Sequence, residues 1–226
     1  MGFIVAIDGP AGSGKGTVTK IVAEKLGLIN IDTGAMYRCV TLKCLENRVN
    51  VEDLEGIKQI LENIDIKLVK EKDRSGENLQ KVYLDGKDVS NEIRTKEVDS
   101  YVAKFAALKE VRDKVTPMQQ KMGDNQDIVM EGRDIGTTVF PNADVKIFLD
   151  ASIEERANRR YKQNIQKGIN CDYKEIYEAI KERHILETTR EISPLIQADD
   201  AIYLDSSSMQ IDQVVNEIIK IINKVR

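Results

Sequence analysis

Nine residues near the N-terminus carry the clearest chemical signal in the chain: Gly9-Pro10-Ala11-Gly12-Ser13-Gly14-Lys15-Gly16-Thr17. Glycines at this density let backbone N–H groups turn inward and approach anionic oxygens without a Cβ in the way. The residues that follow read as a helix, whose N-terminus adds a favourable partial positive charge at the same place. Lys15 is spaced to bridge the β and γ phosphates of a nucleoside triphosphate, and a neighbouring hydroxyl is spaced to hold Mg²⁺. The usual pattern has Ser or Thr directly after the lysine; here Gly16 intervenes and Thr17 is the hydroxyl in reach. The plain alternative is a glycine-rich turn with no ligand, and the register of strand, loop, lysine and helix argues against it. The loop predicts triphosphate binding and leaves kinase, ATPase and GTPase open.

Arginines supply the second signal. Arg38 follows Asp32-Thr33-Gly34-Ala35-Met36-Tyr37, Arg112 lies in a helical pattern, and Arg133 stands in Glu131-Gly132-Arg133-Asp134 after an apolar run. Arg156, Arg159 and Arg160 open the next helical pattern, with Glu155 and Arg159 spaced as a helix ion pair. On the helix after that, Arg183, Glu187 and Arg190 fall at i, i+4 and i+7, a spacing that predicts one shared face. One arginine alone reads as a solvated charge. The set reads otherwise, because Arg133 follows a strand C-terminus, where open α/β sheets bind ligands, and phosphoryl transfer needs several fixed cations around the phosphoryl oxygens. The base-reading Asn/Thr-Lys-x-Asp pattern of a GTPase is absent, as is a helicase-like acidic pair between 129 and 149.

The elements that must position these groups are legible as apolar runs. Residues 3–8, 28–32, 127–130, 145–149 and 201–205 read as short buried strands, separated by helical patterns that include 152–167, 172–190 and the stretch after Ile211. Strands alternating with helices predict a parallel α/β sheet. Residues 64–92 break the rhythm with alternating apolar positions and turn signals at Asp73-Arg74-Ser75-Gly76 and Asp85-Gly86. They predict a small antiparallel sheet inserted in the core, followed by helices near 95–106 and 108–122.

Composition bounds the classes. A chain of 226 residues, 41% hydrophobic, can bury a core. Its net charge of −4 gives no general affinity for nucleic acid or acidic membranes. No apolar run reaches the roughly 18 to 20 residues of a membrane span, and the start Met1-Gly2-Phe3-Ile4 does not read as a signal peptide. Three cysteines suit a reducing cytoplasm, and Cys39 with Cys44, lacking a second ligand pair, read as packed thiols rather than a zinc site. His184, the sole histidine, makes a Ser-His-Asp triad a poor reading.

Four segments together, Gly-x-x-Gly-x-Gly-Lys-Gly-Thr, Asp-Thr-Gly-Ala-Met-Tyr-Arg, Glu-Gly-Arg-Asp-Ile-Gly-Thr and Arg183…Arg190-Glu-Ile-Ser-Pro-Leu, resemble the bacterial cytidylate kinases over essentially the whole chain. The resemblance implies a P-loop NTPase-type α/β fold: a five-stranded parallel sheet flanked by helices, with an antiparallel β insert and a short helical lid. It implies a core of residues 1–62 and 93–226, with acceptor-side helices at about 33–62 and 93–122. Residues 63–92 would be the insert and about 156–168 the lid. It further implies transfer from ATP, with Mg²⁺, to CMP or dCMP by a cytoplasmic monomer. The residues matching Tyr37, Arg38, Arg133 and Arg190 would hold the acceptor phosphate, with Thr33 also on the substrate side. Those matching Arg112 and Asp134 would read cytosine, and those matching Arg183 and Glu187 would reach the sugar. Arg156, Arg159 and Arg160 would close over ATP. Three positions depart from the family pattern: Ala103 stands for a base-contacting serine, Glu187 for Asp, and His184 for an Asp. Retention of Arg112 and Asp134 predicts that cytosine is still preferred. The competing readings are a kinase for UMP, dTMP or shikimate, and a non-catalytic nucleotide-dependent switch.

Overall fold

The computed structural model describes residues 2–72 and 78–226. In chain order the elements are β1 (Ile4–Asp8), α1 (Lys15–Leu26), β2 (Ile29–Asp32), α2 (Thr33–Glu46), α3 (Leu54–Glu62), β3 (Ile66–Lys72), β4 (Asn78–Leu84), β5 (Lys87–Asp88) and α4 (Lys96–Phe105). There follow α5 (Lys109–Met122), β6 (Ile128–Gly132), β7 (Val145–Asp150), α6 (Ile153–Gln166), α7 (Tyr173–Thr189), β8 (Ile202–Asp205) and α8 (Ile211–Asn223). They group into two compact units, Met1–Asp32 with Gln119–Arg226, and Thr33–Met118.

The first unit holds the five expected strands as a parallel sheet in the order β2-β6-β1-β7-β8. All five residues of β1 and of β6 are buried, which explains why these strands read as continuous apolar runs rather than alternating ones. From β1 the chain runs to one edge at β2, returns through β6, and continues to the other edge through β7 and β8. The register pairs Asp8 with Gly132 and Asp32 with Glu131, so the C-terminal ends of β1, β2 and β6 lie side by side. This is where a doubly wound sheet opens to a ligand. On one face Val18 and Val22 of α1 and Val215, Ile218 and Ile222 of α8 pack in a single apolar cluster with Ile7. Side-chain caps start α6 and α7, which carry Arg156, Arg159, Arg160 and Arg183: Ser152 accepts from Glu155 N at 3.1 Å and Asp172 from Glu175 N at 3.0 Å.

The second unit contains the antiparallel sheet β3-β4-β5, with Ile66 opposite Leu84 and Leu68 opposite Val82. The Asp85-Gly86 turn forms as expected, both residues lying at positive φ (51° and 83°). The other expected turn, Asp73-Arg74-Ser75-Gly76, lies outside the described residues. Helices α2, α3 and α4 fall in the same compact unit as this sheet, and the bounds of that unit lie outside the 63–92 insert on both sides. Pro117 sits inside α5, where it can donate no backbone hydrogen bond.

Candidate active site

The strand-to-helix turn after β1 approaches its neighbours closely. A Cβ on Gly9 would lie 2.0 Å from the Leu149 carbonyl oxygen, so no larger residue fits there. Lys15, the first residue of α1, is buried and turns back over the loop. Its Nζ donates to the carbonyls of Gly9 (2.6 Å) and Pro10 (2.7 Å) and to Ser13 Oγ at 3.2 Å. Burial and the neighbouring Arg133 charge push its pKa down to about 7, against the pull of Glu131, Glu187 and Asp8. The first turn of α1 holds no acidic side chain, so its dipole is not offset from within the helix.

Glu131, the penultimate residue of β6, lies beside the glycine that follows the lysine. A Cβ on Gly16 would stand 3.3 Å from Glu131 Oε1, a tight contact that the carboxylate would have to relieve by a small shift. Thr19 Oγ1 donates to the same oxygen at 3.3 Å. Burial, reinforced by Asp32, pushes the Glu131 carboxyl up to about 7. Thr17 is exposed on the first turn of α1. Thr17, Glu131 and Asp32 offer only oxygen donors, a set suited to Mg²⁺, which takes one or two protein oxygens and completes its shell with phosphate and water. Among the described residues no cluster of three or more His, Cys, Asp or Glu is placed to hold a metal on its own.

Arg133 is fixed by a buried carboxylate. Its Nε lies 3.0 Å from Glu187 Oε2, while Arg183 Nε lies 2.8 Å from Glu187 Oε1. Burial alone would raise the Glu187 carboxyl; the guanidinium groups of Arg133 and Arg183 outweigh it and hold the group well below the usual range. The expected common face of α7 holds for Arg183 and Glu187 but not for Arg190. The helix ends at Thr189, and Arg190 adopts extended backbone (ψ 144°). The chain then folds back, with Leu195 N donating to the Glu187 carbonyl at 2.8 Å and Arg190 Nε donating to the Ser193 carbonyl at 2.8 Å. Asp134 is buried and precedes a π-helical turn, Ile135–Val139.

The arginines that open α6 hold the phosphate loop from outside. Arg156, 2% exposed, donates to the carbonyls of Ala151 (3.0 Å) and Ala11 (3.3 Å). Arg159 donates to the Ser13 carbonyl at 3.0 Å and the Ser206 carbonyl at 2.6 Å, and makes the expected pair with Glu155 at 2.9 Å. Arg160 is exposed and donates to Gln163 Oε1 at 3.2 Å.

The second unit gathers the remaining candidates. Thr33 and Tyr37 are buried on α2, and the Arg112 guanidinium lies 5.2 Å from the Tyr37 ring centroid while its Nε donates to the Ala106 carbonyl at 2.7 Å. Arg38 pairs with Asp99 at 2.5 Å and donates to the Ile93 carbonyl at 2.9 Å. Ala103 is buried on α4. Cys39 and Cys44 are both buried, and burial pushes the Cys44 thiol up to about 11. Sequence reasoning gave no role to Asp8, Asp32, Glu131 or Ser206. The signal for the first two was present, since each is an acid that terminates an apolar run.

Comparison with known proteins fits this geometry. The family model for cytidylate kinase matches residues 5–224. The chain is 48% identical over 224 residues to the cytidylate kinase of Fusobacterium nucleatum, covering 99% of each chain. It is 48% identical over 220 residues to that of Carboxydothermus hydrogenoformans, covering 97% of each. A solved structure, an uncharacterized protein from Eubacterium ventriosum, superposes with a TM-score of 0.52 at 13% identity over 99% of both chains, a likeness of fold alone. With a matching family model along nearly its whole length and relatives at this identity, the chain belongs to the cytidylate kinase family.

Proposed function

We propose that this chain transfers the γ-phosphoryl group of ATP to CMP, and to dCMP, by direct in-line displacement, releasing ADP with CDP or dCDP. Family membership supports the reaction, and one observation carries it physically. In the same compact unit as the phosphate loop, a buried carboxylate, Glu187, fixes Arg133, whose charge acts on the loop lysine.

The acceptor is a phosphate monoester whose second pKa is about 6, so near pH 7 it is mostly a dianion and needs no general base. What remains is to hold two polyanions in line and cancel their repulsion. On the donor side the loop N–H groups of residues 9–17 receive phosphate oxygens. The triphosphate offers Lys15 charged partners in place of the Gly9 and Pro10 carbonyls, which draws its pKa back up and keeps it cationic. Arg156 and Arg159 hold the loop in shape, and Arg160 with the rest of a lid at about 156–168 excludes water, without which ATP would be hydrolysed. Thr17, with Glu131 and Asp32 as further oxygen donors, would hold Mg²⁺, which would supply neutralisation of the triphosphate charge.

On the acceptor side the family resemblance gives the phosphate to Tyr37, Arg38, Arg133 and Arg190, with Thr33 also on the substrate side. Arg112 and Asp134 read the base; Arg183 and Glu187 serve the sugar end. The 63–92 insert belongs to this acceptor side. The enzyme acts as a cytoplasmic monomer in pyrimidine nucleotide metabolism; no described helix is long and apolar enough to cross a membrane. A coupled ADP-release assay with CMP, dCMP, UMP, dTMP and shikimate tests the reading. CMP and dCMP are expected to lead, whereas equal turnover of CMP and UMP at subsaturating concentrations would overturn the cytosine assignment. The family assignment does not favour the other acceptors or a non-catalytic switch.

A further inference from the structure

Asp8 ends β1 and immediately precedes the phosphate loop, yet neither of its oxygens faces that loop's backbone. It is 5% exposed, and both oxygens are engaged 127 and 128 residues away: Oδ1 accepts from Ile135 N at 2.8 Å and Oδ2 from Gly136 N at 2.7 Å. Those two amides open the π-helical turn that follows Arg133 and Asp134. The turn's own first bonds run from Thr138 N and Val139 N to the Asp134 carbonyl, so its leading amides find their acceptor in Asp8 rather than within the turn. Little slack remains there. A Cβ on Gly136 would meet Asp8 Oδ2 at 3.5 Å and the Lys146 side chain at 3.1 Å.

A carboxylate is an expensive group to bury for this purpose. Burial raises the Asp8 carboxyl to about 6 in spite of its two amide bonds, with Asp134 adding like charge and Lys15 offsetting it. The return for that cost is that one rigid residue at the end of the central strand accepts from two adjacent amides with charge-assisted bonds. A neutral amide of the same shape would accept one and turn an NH₂ towards the other.

We propose that Asp8 is a positioning residue that fixes the Arg133–Asp134 segment relative to the start of the phosphate loop, so that donor-side and acceptor-side groups of this unit share one rigid reference. This inference rests on the kinase reading above. Asp8 touches no reacting atom under it; its effect passes through Arg133 and Asp134.

The test is the Asp8→Asn variant of the full chain, near in shape and lacking the second acceptor. The expected result is a fall of about tenfold or more in kcat with CMP and a rise in KM for CMP, while the Kd for ATP moves less than about threefold. A ¹H–¹⁵N spectrum should show the Ile135 and Gly136 amides displaced. A folded variant with kcat and KM for CMP within twofold of the parent would overturn the proposal, as would equal losses in ATP and CMP binding. Hydrogen exchange on the unaltered protein tests the same clamp without any substitution. Ile135 and Gly136 amides protected like the strands support it, and exchange at free-loop rates in a protein that turns over CMP overturns it. If the unaltered protein makes no ADP with CMP, the kinase reading fails instead, which keeps the two failures distinct.

Discussion

Replacing Glu187 by Gln removes the negative charge that pairs with both Arg133 and Arg183 while keeping its shape. The carboxylate side chain is 4% exposed, its two partners 22% and 23%. Breaking a fully buried ion pair by removing one partner costs about 3–5 kcal/mol, and the partial exposure of both arginines reduces this to about 2–3 kcal/mol. In a chain of this length each kcal/mol moves the melting temperature by roughly 2–4 °C, so the variant should melt about 5–10 °C lower near pH 7. The pH dependence has a fixed sign. The folded-state pKa of Glu187 is depressed, so its contribution is fully present above the unfolded value of about 4.3 and fades as pH falls below that. The gap in melting temperature should therefore be constant between about pH 6 and 8 and narrow progressively as pH falls from about 4 toward the depressed folded-state value. With its Nε anchor gone, Arg133 should also lose alignment, lowering kcat/KM for CMP about tenfold to a hundredfold. Differential scanning calorimetry across pH, paired with the coupled assay, measures both effects. A melting temperature within 1 °C or so of the parent at pH 7 would refute the buried-clamp argument.

Other substitutions separate the remaining roles. Arg133→Ala should lower kcat by about two to three orders of magnitude while nucleotide titration shows ATP binding largely intact; a near-normal kcat contradicts the assignment. Lys15→Ala should slow transfer itself, visible as a reduced single-turnover rate at saturating substrates, and an unchanged rate would remove the lysine from the mechanism. Arg112→Ala should narrow the ratio of kcat/KM for CMP over UMP by about tenfold or more, since the side chain now braced on Tyr37 would no longer read the base; an unchanged ratio assigns selectivity elsewhere.

Much of the fold is written in local sequence because the inner strands β1 and β6 are short, parallel and wholly buried. The runs at 3–8 and 127–130 have no polar interruption to hide them, and Asp85-Gly86 announces its hairpin by residue type. Pairing is harder to see. Arg156 and Arg159, which the family resemblance implies as lid cations, also reach the carbonyls of the phosphate loop, and a carbonyl acceptor has no residue-type signature. The i, i+7 spacing of Arg183 and Arg190 assumed that the helix continued, whereas the segment leading to Pro194 turns away at Arg190. Glu131 and Asp8 were visible only as acids at strand ends. Their tasks depend on the parallel register that sets Glu131 beside Gly16 and Asp8 beside the turn after β6, a long-range fact that spacing alone does not carry.

The most direct measurement is ³¹P NMR of the protein with equimolar ATP and CMP. The account predicts that the CMP signal falls to an equilibrium level as CDP resonances grow, in step with ADP and without inorganic phosphate. Accumulation of ADP with inorganic phosphate, or no change in either nucleotide, while CMP remains intact would contradict transfer to CMP.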